Sequence, residues 1–140
     1  MTDPPLILKK LAFVETCIAD LRREARSELV RTDLKERRFA EHTLQVGIQA
    51  LQDAAAHIAA AERLGEPRTN AGLFDLLAAG GWLDAGDAAL GRAMVGFRNV
   101  LVHGYAALDF AVLEDVLENH LDDLERIAGQ LRDGVERTRT

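Results

Sequence analysis

Aromatic residues supply only 5% of this 140-residue chain: five Phe, one Trp and one Tyr. With three Pro and an Ala- and Leu-rich remainder, that scarcity disfavours a β-sandwich and favours helices. Cys17 is the single cysteine, so no internal disulfide can form; on an apolar helical face it reads as a small core residue. No stretch approaches the roughly 18 apolar residues that span a bilayer. The start Met1-Thr2-Asp3-Pro4-Pro5 lacks the basic-then-apolar order of a secretion signal. A cytoplasmic protein without a membrane partner is expected. Positive charge is also short, 17 Lys and Arg against 23 Asp and Glu, for a net charge of −6. Nonspecific affinity for nucleic acid comes mainly from cations on phosphates, so a broad RNA-coating surface is excluded, while a small local cleft is not.

What the chain does have is helical periodicity, in a length that suits one domain over residues 1–140. Leu11, Val14, Ile18 and Leu21 recur at three- and four-residue steps, predicting a first helix over about residues 6–25 entered through Pro4 and Pro5. A polar stretch, 26–36, reads as a turn or short helix. Leu44, Ile48, Leu51, Ala55 and Ile58 stripe a long second helix that Gly65 and Pro67 end. Residues 73–79 make a short helix closed by Gly80-Gly81, after which Trp82 and Leu83 turn inward. Leu90, Met94, Phe97 and Leu101 form the core face of the next helix. Asp109 caps a last helix striped by Leu113, Leu117, Leu124, Ile127 and Leu131, with an acidic outer face of Glu114, Asp115, Glu118, Asp122, Asp123 and Glu125. The tail from Asp133 reads as frayed. Short loops between helices make an all-α, up-and-down bundle of about four main helices the expected architecture.

Chemistry concentrates in Arg98-Asn99-Val100-Leu101-Val102-His103-Gly104-Tyr105, which gathers a fixed cation, an amide, an imidazole and a phenol. These groups suit phosphodiester cleavage without a metal or cofactor. A guanidinium fork holds phosphate, and an imidazole is the side-chain type that exchanges protons near neutral pH. Geometry sets a condition. Residues five apart on an α-helix point about 140° away from each other, so Arg98 and His103 converge only if the helix breaks, which Gly104 permits, or if a second chain contributes. Asn99, four before His103, shares its face.

The run from Met94-Val95-Gly96-Phe97 through Arg98-x4-His103-x-Tyr105, with Asn99 directly after the Arg, resembles the signature of the HepT-like toxins of the HEPN superfamily. The helix order, including Leu44-Gln45, Asp53 to Ile58, Gly65-Glu66-Pro67 and Leu76-Leu77, is similar across nearly the whole chain. The resemblance implies a HEPN-like helical fold and a metal-independent endoribonuclease, toxic to its host and paired with a minimal nucleotidyltransferase (MntA-type) antitoxin. Carried over by position, it implies Arg98 and His103 as the catalytic pair, Asn99 as a polar helper and Tyr105 as the residue the antitoxin modifies with AMP. Gly104 departs from the pattern, standing where relatives often carry Glu.

Asp53 and His57, four apart, can pair and support the motif, although an ordinary hydrogen bond is the commoner role of such a pair. His42 and His120 have no second histidine or cysteine at metal-ligand spacing and read as surface or satisfied residues. The reading with most support is a homodimeric ribonuclease toxin with two motifs facing across a cleft. Its rivals are a non-catalytic helical nucleotide- or protein-binding module that partners a nucleotidyltransferase, and an interaction subunit docking through its acidic helix.

Overall fold

The computed structural model describes residues 3–103 and 109–139, and among them all regular structure is helical. Capping chemistry sets the helix starts. Asp3 accepts from the backbone N–H of Leu6 (3.1 Å) and Pro follows at the first two positions of α1, Pro4–Glu24. A single 3-10 turn, Ser27–Leu29, leads to α2, Leu34–Ala61, where Asp33 accepts from Lys35 (2.9 Å) and Glu36 (3.3 Å). After α2 the chain reverses through Arg63 and Gly65, both at positive φ. α3 spans Gly72–Ala79 and α4 Ala85–His103. Asp109 then accepts from Ala111 (2.8 Å) to open α5, Phe110–Asn119. α6 follows, Leu121–Arg139. No helix of the described residues is long and apolar enough to cross a membrane.

α1 and α2 lie antiparallel, since Cys17 meets Gly47 while Lys10 meets Asp53. A Cβ at Gly47 would sit 3.1 Å from that of Cys17, so the crossing depends on a missing side chain. α6 runs antiparallel to α1 on its other side, tied by Glu15 to Arg132 and by Arg22 to Asp122 and Glu125. α4 packs on α2, α3 and α6. One apolar cluster joins the helices, from Ile7 and Leu11 through Leu44, Ile58, Phe74 and Leu113 to Val135. Two glycines admit aromatic rings at van der Waals range: Phe74 lies over Gly91 of α4, and Trp82 over Gly134 of α6.

The structure corrects three expectations. The C-terminal segment is two helices, broken at His120, whose φ of −121° and ψ of 1° leave the helical region. Second, the tail is ordered: α6 continues to Arg139 with Gly134 and Val135 buried, because Trp82 packs there. Third, most of the acidic outer face is not free for a partner. Glu114 pairs with Arg31, Glu118 accepts from Ser27, Asp122 and Glu125 hold Arg22, and Asp123 pairs with Arg126. Exposed pairs of this kind contribute only about 0–1 kcal/mol each, but they occupy the carboxylates a docking subunit would need. Deeper in, Asp87 is 5% exposed and accepts from Arg126 and Gln130, tying α4 to α6. The Arg126 hydrogen bond holds its carboxyl below the usual range.

His120 is not an ordinary surface residue. Its Nδ1 meets Asp123 (2.9 Å) and its Nε2 meets Asp115 (3.0 Å), so the imidazole ties α5 to α6 across the break. The Asp123 contact, with help from Asp115 and against partial burial, raises its pKa above the ordinary 6.5. A raised folded-state pKa means stability that is fully present below about pH 6.5 and is lost as pH rises through the folded value. The melting temperature of the wild type is therefore expected to exceed that of His120→Gln most at pH 6, with the gap shrinking by pH 9. Thermal unfolding followed by circular dichroism checks this, and a gap independent of pH would contradict it.

Candidate active site

α4 carries three of the candidate residues, and its register follows from its packing. Met94 and Val95 are buried and Phe97 packs on the core, which leaves Arg98 half-buried towards α2 and puts Asn99 and His103 in solvent. The helix runs unbroken to His103, its last described residue. Arg98 and His103 consequently leave α4 on sides about 140° apart, and one chain does not bring them together through His103. Gly104 and Tyr105, on which the expected turn and the expected modification fall, lie outside the described residues.

Asn99 joins the two sides. It shares a face with His103 four residues on, and its Oδ1 accepts from Arg98 Nη1 at 3.2 Å. That bond draws one edge of the guanidinium towards the exposed face. The other edge stays low: Nε is buried and has no hydrogen-bond partner among the described residues. A buried donor left so costs on the order of 1–3 kcal/mol.

Arg98 also lines a cleft of about 230 Å³ with residues of α1 and α2, including Lys10, Phe13, Gln45, Gln49 and Asp53. The Asp53–His57 pair is not made. Asp53 accepts instead from Gln49 Nε2 (2.8 Å) and meets the Lys10 ammonium at 3.6 Å, whereas His57 is exposed. Asp53 thus lines the Arg98 cleft beside Lys10 and Gln49, and His57 is not among the lining residues. Sequence reasoning missed Lys10, Phe13 and Gln49. Phe13 did leave a signal, since it falls off the Leu11, Val14, Ile18 stripe and interrupts the polar face of α1. Among the described residues no three His, Cys, Asp or Glu side chains gather as a metal site.

This helix order and this motif match the family model described as Ribonuclease HepT-like over residues 11–131. The chain belongs to the HepT-like ribonuclease family. It is 28% identical over 122 residues to the mRNA nuclease HepT of Shewanella oneidensis, a match covering 86% of this chain and 92% of that protein. Among solved structures it superposes on the tri-AMPylated Shewanella oneidensis HEPN toxin in complex with its MNT antitoxin, with a TM-score of 0.85 at 27% identity, over 95% of this chain and 99% of that one. A toxin–antitoxin complex with AMP-PNP gives a TM-score of 0.85 at 26% identity, covering 91% and 98%. YutE of Bacillus subtilis, at 16% identity and a TM-score of 0.83 over 94% and 90%, shares the fold. This HepT-like chain is thus an endoribonuclease of the HEPN toxin class, with the all-helical architecture that the sequence predicts.

Proposed function

We propose that this HepT-like chain cuts RNA in the cytoplasm, without a metal ion, as a homodimer whose two α4 C-termini face each other. The observation that carries the reading is the division of labour on α4: Arg98 is half-buried with one edge drawn to Asn99, while His103 lies on the exposed face. A second copy set against that face answers the divergence, placing Arg98 of one subunit near His103 of the other around one phosphate. The face suits close approach, because Ala89, Ala93 and Gly96 are small and exposed there, and a Cβ on Gly96 would meet nothing within 4 Å among the described residues.

In the reaction the ribose 2′-oxygen forms a bond to the adjacent phosphorus as its proton passes to solvent water. The P–O5′ bond breaks, and the departing 5′-oxygen takes a proton from His103, giving a 2′,3′-cyclic phosphate and a 5′-hydroxyl. Arg98 neutralises the charge that builds on the phosphorane oxygens, and Asn99 orients Arg98 and donates a hydrogen bond. The likeness to an AMPylated toxin bound to its antitoxin supports a nucleotidyltransferase partner that adds AMP to Tyr105, putting a bulky anion where substrate phosphate must sit.

Two measurements test this. Purified protein is expected to cleave RNA in the presence of EDTA, leaving cyclic phosphate ends. Co-expression with the partner nucleotidyltransferase is expected to raise its intact mass by one or more AMP groups, and Tyr105→Phe to lose the gain attached at that residue. Cleavage abolished by EDTA, or AMP mapped elsewhere with Tyr105 untouched, would overturn the respective claim.

A further inference from the structure

The cleft beside Arg98 has features that phosphate chemistry alone leaves unexplained. Phe13 is 45% exposed, one of three large apolar side chains so placed among the described residues, and it forms part of the wall. Gln49 is fixed: its amide nitrogen donates to Asp53, which leaves its Oε1 as an acceptor. Gln45 adds a second amide to the lining. Charge within the cleft sums to +1, from Lys10 and Arg98 against Asp53, although the whole protein is at −6. An apolar ring, an oriented amide and a local positive charge beside a cation with an unpartnered buried Nε form a small mixed pocket.

From this juxtaposition we propose that the α1–α2 cleft holds the base of a nucleotide next to the scissile phosphate, with Phe13 stacking on it and Gln49 reading its edge. The inference rests on the ribonuclease reading and adds a specificity subsite to it. Its volume, about 230 Å³, is below the range usual for whole-ligand pockets and suits one planar base. Stacking on an aromatic side chain is sequence-tolerant, so selectivity falls to Gln49. With one of its two N–H groups held by Asp53, its Oε1 is oriented to accept from a base that presents an amino group. Adenine, cytosine and guanine offer Oε1 an exocyclic amine at the base edge, whereas uracil offers only its ring N3–H between two carbonyls, so uridine is the disfavoured occupant. Lys10, set beside Asp53, keeps the carboxylate from repelling the RNA backbone.

The test measures cleavage of a randomised RNA by sequencing its ends, with KM and kcat on a single preferred site. Wild type is expected to disfavour uridine at one position beside the cut by about fivefold, the worth of one base hydrogen bond. Gln49→Ala flattens that preference. Phe13→Ala raises KM by at least about fivefold with kcat nearly unchanged, Phe13→Trp restores KM, and Phe13→Leu, which keeps apolar bulk without a π-face, does not. Unchanged KM and base preference in Phe13→Ala and Gln49→Ala would overturn the proposal, as would a change of oligomeric mass in Phe13→Ala, which would mean that a second copy covers the ring. Should wild type cleave no RNA, the nuclease reading fails separately. Anisotropy with a labelled 2′-O-methyl pentanucleotide of adenine or of uracil then decides: adenine-preferring, Phe13-dependent binding upholds the subsite and its absence ends it.

Discussion

RNA cleavage by His103→Ala is expected to fall about 10²- to 10⁴-fold, the usual worth of a positioned proton donor, with no loss of melting temperature. The imidazole is exposed at the end of α4, so its removal empties nothing in the core. Arg98→Ala is expected to lose cleavage on a similar scale, since it removes the charge that meets the phosphorane. Its stability can even rise slightly, because a buried Nε without a partner disappears with the side chain. The decisive measurement mixes the two inactive chains after unfolding and refolding them together. If the site is shared between subunits, cleavage returns to about a quarter of the wild-type rate, because half of randomly paired dimers are mixed and each mixed dimer rebuilds one of its two sites. A mixture no more active than either variant alone would rule out sharing across the dimer.

The largest stability change is expected at Gly91→Val. A Cβ at this position would stand 2.3 Å from the Phe74 ring, and that ring is fully buried between α2 and α4 and cannot retreat. Overpacking of this kind typically costs 1–3 kcal/mol, and a branched side chain adds to it. A loss of about 2–4 kcal/mol is expected, which at roughly 4 °C per kcal/mol for a chain of this length is a fall of about 8–16 °C in melting temperature. Gly129→Ala on α6 is the control, because a Cβ there meets nothing within 4 Å. It should stabilise by about 0.5–1 kcal/mol through helix propensity alone. Thermal unfolding of both variants checks the pair, and a shift of the same sign in each would contradict the close approach of α3 and α4.

Much of this architecture is legible in the residue pattern, and the exceptions have a common cause. The stripe of α1, the end of α2 near Gly65, the short α3 and the Asp109 cap all depend on neighbours in sequence. The break at His120 does not show, because Leu117, Leu121 and Leu124 keep a helical step through it and neither Pro nor Gly marks it. The histidine's contacts with Asp115 and Asp123 span that joint and come to light only in the fold. The tail from Asp133 looks polar and frayed until Trp82, some fifty residues earlier, is seen to rest on Gly134. The site divides the same way. Arg98, Asn99 and His103 stand out by type and spacing, whereas Asp53 meets Lys10 only because α1 lies along α2. Four-residue spacing made an Asp53–His57 contact possible, but a stronger cation was already in reach.

Trp82 is the sole indole of the chain, and it sits where the segment before α4 meets the closing helix. Its emission therefore reports one event, the seating of α6, without any label. The lining of the Arg98 cleft includes no indole, so occupation there should leave the colour of the signal alone while detachment of the C-terminal helix shifts it to the red. The molecule carries its own optical gauge for separating what a substitution does to folding from what it does to RNA.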